Sequence, residues 1–120
     1  MRVVIAESHP SVSAELQEAL GADGRFDHLE AVVDGDSAAR SARDADVVVI
    51  DLCVGGRGSL GTIGSIHRLA RPPVIVGVTT APEPWRIRAA RVEGADAILD
   101  WPADKSRIID CIAGLLAERT

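Results

Sequence analysis

Aromatic side chains are nearly missing from this chain of 120 residues, which has no tyrosine, one phenylalanine (Phe26) and two tryptophans (Trp85 and Trp101). So few flat rings leave little to stack on an isoalloxazine, which counts against a flavin protein. Lysine is nearly missing as well: the 13 basic residues comprise one lysine, Lys105, and twelve arginines. The formal net charge of −5 lacks the basic excess that phosphate contacts to nucleic acid require. If DNA is involved, another segment or a partner must supply the contact. The two cysteines, Cys53 and Cys111, have no metal-ligand spacing and are expected to be free thiols. No apolar run approaches the roughly 20 residues needed to cross a bilayer. The opening MRVVIAESHP turns polar too early for a signal peptide, so a cytoplasmic protein without membrane contact is expected.

What is present is ordinary in amount and regular in order. Hydrophobic residues make up 47% and charged residues 26%, as in soluble globular proteins, and the length suits one domain over residues 1–120. Short β-branched runs, at Val3–Ala6, His28–Val33, Val47–Ile50, Val74–Val78 and Ala97–Leu99, alternate with helix-like stretches. Val12, Leu16, Ala19 and Leu20 share a helical face that Gly21 and Gly24 end. A short Ala- and Arg-rich helix is expected over Ser37–Asp44, and a third, marked by Ile63, Ile66 and Leu69, stops at Pro72-Pro73. Pro84 suits the first turn of a fourth helix and Gly94 its C-terminal cap. Pro102 is read as opening the last helix, with Ile108, Ile112, Leu115 and Leu116 on its apolar face. This alternation predicts an α/β fold, a five-stranded parallel sheet with flanking helices, flavodoxin-like and doubly wound.

In such sheets ligands and chemistry gather at the carboxyl ends of the strands. Those ends carry Glu7-Ser8, Asp51, Thr79-Thr80 and Asp100-Trp101-Pro102. A carboxylate can attack phosphorus, a divalent cation can bridge the oxygens, and a hydroxyl can bond the transferred group. Gly56, Gly58 and Gly61 do spell G-x-G-x-x-G. A dinucleotide fingerprint would start directly after the strand and be followed by an acid at the end of the next one. Here several residues intervene, and the next strand ends in Thr79-Thr80, so that reading fails.

Four motifs in register resemble a bacterial response-regulator receiver domain (CheY-like). Ile5-Ala6-Glu7-Ser8-His9-Pro10 is similar to the end of that family's first strand, with the His-Pro common in the NarL/FixJ branch. Val48-Val49-Ile50-Asp51-Leu52 is similar to the phosphoacceptor strand, Pro73-Val74-Ile75-Val76 to the strand that ends at the switch hydroxyl, and Gly94-Ala95-Asp96-Ala97 to the turn before strand five. The resemblance implies that Asp51 is the phosphoacceptor and Thr79 the switch hydroxyl. It further implies a Mg2+ site at Glu7, Asp51 and the Cys53 backbone carbonyl. The implied function is a signal-receiving domain of a two-component-type transcriptional regulator and not an enzyme. A sensor histidine kinase would be its input partner, a homodimer its working form, and DNA would be reached through a LuxR-type effector domain that this chain does not contain.

The departures from the family pattern matter as much. Ser8 stands where the second acid would bind the metal, and a neutral hydroxyl offsets little of a hard cation's charge, so any Mg2+ site is expected to be weak. Ser8 is read instead as a cap of the first helix. Trp101 stands where the family has a lysine, and Lys105 falls beyond Pro102 in the expected last helix. The family's aromatic switch position holds Ile98, and Val54-Gly55 replaces the usual Met-Pro turn. Trp101 either plugs the pocket where the lysine would point or, the reading preferred, is a surface or semi-buried anchor on the same side as Trp85. Arg86, Arg88 and Arg91 are read as a solvated face, with contact to an acidic partner surface as the alternative, and His9 as a loop residue rather than a base or ligand. An atypical receiver under weak or phosphorylation-independent control follows. The alternatives are a small-ligand-binding flavodoxin-like module and a pseudo-receiver that only dimerises.

Overall fold

The computed structural model describes residues 1–53 and 58–119. Two readings made above, the Val54-Gly55 turn and the Gly56-Arg57 part of the glycine motif, lie outside the described residues. Five strands form one parallel sheet: β1 (Arg2–Ala6), β2 (His28–Val32), β3 (Val47–Asp51), β4 (Val74–Thr79) and β5 (Ala97–Asp100). Their order across the sheet is β2-β1-β3-β4-β5, as expected of the flavodoxin-like class. From β1 the chain steps outward to β2 and then returns across it to β3, so the topological switch lies between β1 and β3. β3 and β4 are buried at every position because helices cover both faces, and this is why their sequences are apolar without alternation. β2 is an edge strand with a mostly exposed surface, which accounts for its weak pattern in the sequence.

The helices are α1 (Pro10–Gly21), α2 (Gly35–Ser41), α3 (Gly58–His67), α4 (Pro84–Glu93) and α5 (Ile108–Ala117). They divide the core in two. Val3, Ile5, Val47, Val49, Val76 and Leu99 meet Leu16 and Leu20 of α1 and Ile108 and Ile112 of α5 on one face. Val4, Val48, Ile50 and Ile75 meet Ala38 of α2, Ile63 and Ile66 of α3 and Ala90 of α4 on the other. None of the described helices is long and apolar enough to cross a membrane.

One boundary differs materially from expectation: Pro102 does not open the last helix. The Trp101–Pro102 peptide bond is cis, and residues 101–104 form a turn. The Asp100 amide donates to the Asp104 carboxylate at 2.7 Å while the Asp104 amide donates to the Asp100 carbonyl at 2.7 Å. These reciprocal bonds hold the turn, a 3-10 segment follows at Lys105–Arg107, and α5 begins only at Ile108. Lys105 is therefore an exposed residue of the 3-10 segment, ahead of α5 and not within it.

Candidate functional site

β1 and β3 pair with Ala6 opposite Ile50, so Glu7 and Asp51 emerge side by side just past that pair. Both are buried, Glu7 at 2% and Asp51 at 5% exposure. Asp51 is held at its base, where Oδ1 accepts from the Cys53 amide at 2.9 Å. On the far side, β4 places Val78 opposite Asp51, and Thr79 follows, buried, with its hydroxyl oxygen accepting from the Ala81 amide at 3.2 Å. The structure thus brings Glu7, Asp51 and Thr79 to one rim, as the sequence led us to expect.

His9 is a loop residue between β1 and α1, as expected, but its side chain joins the acids, which was not expected. Its Nδ1 lies 2.9 Å from Glu7 Oε1 and 3.8 Å from Asp51 Oδ2, and its amide also donates to Glu7 Oε1 at 2.9 Å. Burial, and then the facing Asp51 carboxylate, push the Glu7 pKa above the usual carboxylate range. The Glu7 carboxylate in turn raises that of His9. The site holds two buried carboxylates with one imidazole laid across them. The spacing of His9 two residues after Glu7, fixed by Pro10 at the start of α1, was the available signal. It was missed because no second histidine or cysteine accompanies it at a metal-ligand interval.

Ser8 is exposed and belongs to neither the acid group nor the cap. With Pro10 as the first helical residue, the capping position falls on His9, whose side chain makes no cap bond, and Ser8 sits one residue too early. Trp101 is likewise corrected: it is 2% exposed and packs in the α1/α5 half of the core. The two-residue period of β5 explains this, since Leu99 faces that half and position 101 continues its side. The Trp101 amide donates to the Thr79 carbonyl at 2.8 Å, extending the ladder, while its indole Nε1 is buried without a partner among the described residues. An apolar ring therefore fills the core where the resemblance implies a lysine. Ile98, on the other face, is half-buried and packs against the α2/α3/α4 half.

Arg86 is not part of a solvated face either. It lies over the exposed Trp85 ring, with Cζ 4.9 Å from the centroid, and Nη1 reaches the Leu52 carbonyl at 3.3 Å and Cys53 Sγ at 3.4 Å. The Leu52 carbonyl also accepts from the buried hydroxyl of Ser59, so the turn just after Asp51 is tied to both α3 and α4. Among the described residues, the cation fixed on this side of the site comes from α4, and the sequence offered no pattern to distinguish Arg86 from Arg88.

A divalent cation fits the donor set. One ligand atom from each of Glu7, His9 and Asp51 lies within 4.8 Å of the others, and a cation would offset the like charge that now faces itself across the pair. Glu7 and Asp51 would hold it, with the His9 nitrogen at the solvent side. At Cys53 the group seen against Asp51 is the backbone N–H, and both cysteines are free.

No protein-family model and no curated protein matches the chain. Solved structures do. The signal receiver domain of NarL from Mycobacterium tuberculosis superposes with a TM-score of 0.86 at 21% identity, covering 97% of this chain and 95% of that one. The response regulator domain of Thermotoga maritima CheB gives 0.85 at 15% identity over 98% and 96%. The Vibrio cholerae chemotaxis protein CheY4 gives 0.81 at 17% identity over 93% and 95%. At these identities the likeness is one of architecture, and the architecture is that of CheY-like response-regulator receiver domains.

Proposed function

We propose that this chain is the signal-receiving domain of a two-component-type transcriptional regulator, with Asp51 as its phosphoacceptor position and with control that is weakly dependent on, or independent of, phosphorylation. The observation that carries the proposal is Asp51 itself. It is a buried carboxylate at the carboxyl end of the central strand, with an acid on one side and a buried threonine hydroxyl on the other. Its amide-bonded Oδ1 leaves Oδ2 as the oxygen facing the acid group. In an ordinary exchange Oδ2 attacks the phosphorus of a donor, the donor's bridging oxygen leaves, and Thr79 turns to the new phosphoryl oxygens. Mg2+, when bound, neutralises charge between the carboxylates and the phosphoryl group.

Two features favour the atypical version. Ser8 is exposed and its neutral hydroxyl adds no charge, so the carboxylate charge offered to the metal is that of Glu7 and Asp51. Trp101 is part of the core, so strand five brings no cation to the phosphoryl group. The protein then acts as a non-enzymatic cytoplasmic switch whose state is set by dimerisation or a partner. A sensor kinase is a secondary input, and DNA is bound through an effector domain outside this chain. Incubation with acetyl phosphate and Mg2+ followed by intact-mass spectrometry tests this. A minor adduct, absent in Asp51→Asn, is expected. A stoichiometric adduct on Asp51 would restore the ordinary switch and overturn the atypical reading.

A further inference from the structure

The opposite end of the sheet carries a second concave site, of about 690 Å³, which the receiver reading does not use. Arg2 at the start of β1, Asp46 just before β3 and Pro72-Pro73 just before β4 put it at the amino ends of the strands. Its volume falls within the range of small-molecule pockets, roughly 300–1,000 Å³. Four of its lining residues are arginines: Arg2, Arg43, Arg71 and Arg119. The acids in the lining, Asp44 and Asp46, number half as many, so this end is cationic in a chain whose net charge is −5.

The acids and arginines do not simply neutralise one another. Asp46 is engaged by backbone, its carboxylate accepting from the Arg2 amide at 2.8 Å. Arg119 is engaged with the Pro72 and Pro73 carbonyls and lies 3.4 Å from Asp96. The guanidinium groups of Arg2, Arg43 and Arg71 have neither ion pair nor hydrogen bond among the described residues, although carboxylates are plentiful in this chain. Elsewhere the arginines that carry ion pairs do so with near neighbours, as Arg25 does with Asp23 at 2.7 Å and Arg107 with Asp104 at 3.0 Å. Three exposed guanidinium groups that line one cleft offer more donors than a single carboxylate can use, and a planar fork suits phosphate oxygens.

We infer that this cleft binds a compact polyphosphate anion, of the pyrophosphate or nucleoside-diphosphate class, through Arg2, Arg43 and Arg71. Asp44, exposed and without a partner among the described residues, supplies an acceptor for a hydroxyl or amino group attached to the phosphates, which favours a nucleotide over bare pyrophosphate. The strands between the cleft and Asp51 are about five residues long, or roughly 16 Å, so the two sites are separate and this inference does not depend on phosphorylation of Asp51. Leu116 and Arg119 at the end of α5 line the cleft, and occupancy would therefore be felt by whatever packs on that end.

The test is calorimetric titration of the purified protein with sodium pyrophosphate and with ADP, without divalent metal, against sulfate as control. Saturable one-site binding of both is expected, tighter for ADP and weakening with salt. The double change Arg43→Gln/Arg71→Gln should weaken it about tenfold or more, because charge-assisted bonds to phosphate are lost. Arg88→Gln on α4 and Asp51→Asn should leave it unchanged. Circular dichroism confirms that the double variant is folded. Absence of saturable binding by either anion overturns the inference, as does binding that survives the double change or disappears in Asp51→Asn.

Discussion

At Asp51 two demands on one carboxylate conflict. A phosphoacceptor must be ionised to attack phosphorus, yet here it is buried beside a second buried acid, Glu7, with His9 as the only basic side chain in ion-pairing range among the described residues. The conflict has a measurable sign. The folded-state pKa of Glu7 is raised, first by burial and second by Asp51, so folding favours its protonated form. The associated stability is fully present below the unfolded value of 4.5 and is lost as pH rises through the folded pKa. Asp51→Asn keeps an oxygen to accept from the Cys53 amide but removes the facing charge. It should therefore stabilise the protein at pH 7, because the facing Asp51 carboxylate is one of the two main causes that raise the Glu7 pKa. The gain should shrink below pH 4.5, where Glu7 is protonated in both proteins. Urea denaturation of the two proteins across that range measures it, and a destabilised Asp51→Asn at pH 7 would show that the acids do not repel. The acids and Thr79 were legible in the sequence because strand ends are where a run of apolar residues breaks. Arg86 was not, because its role comes from side-chain reach across elements; His9 was not, because no second histidine or cysteine accompanies it at a metal-ligand interval; and Trp101 was misplaced because its burial follows from the side of β5 it continues.

Among the elements, α2 shows most plainly how a short helix is held. It has only seven residues and one buried side chain, Ala38, so its start matters more than its packing. Asp34 occupies the capping position in extended conformation and accepts from the Ser37 amide at 2.7 Å. That amide, with Arg40 nearby, holds the Asp34 carboxyl below the ordinary value of 3.8. A depressed pKa gives stability that is present above the unfolded value and lost as pH falls through the folded one. Asp34→Ala should thus lower the melting temperature at pH 7, with the difference from the parent closing as pH is taken below 3.8. A gap unchanged at low pH would mean that the carboxylate charge plays no part in the cap. Boundaries of this kind were readable where a proline or glycine punctuates the chain, as at Pro84 and at Gly94, whose φ of 127° suits its place after α4. They were misread at Pro102, where the reciprocal Asp100–Asp104 bonds, invisible to helical periodicity, delay α5.

At the scale of the whole molecule, the distribution of exposed apolar surface separates what is core from what is left for a partner. Among the described residues, the large hydrophobic side chains most open to solvent are Val92 at 85%, Val33 at 65% and Trp85 at 52%. Trp85 and Val92 are seven residues apart on α4 and so share one face of that helix. Trp101, expected to join them, lies instead in the core and contributes nothing to this surface. The Trp85 ring is not loose, since its Nε1 donates to Glu83 at 3.0 Å and Arg86 covers part of it. A pre-positioned aromatic beside an arginine is the composition of an interface hot spot. Because Arg86 also reaches the Leu52 carbonyl beside Asp51, this face and the acid site share one side chain. If α4 is the surface through which two copies meet, Trp85→Glu should convert the dimer to a folded monomer, read by light scattering coupled to size exclusion. Its melting temperature at high dilution should match that of the parent, because no core contact is removed. Val33→Glu, on the opposite edge beside β2, should leave the oligomeric state unchanged. A dimer that survives Trp85→Glu would place the contact elsewhere and uncouple it from the acid site.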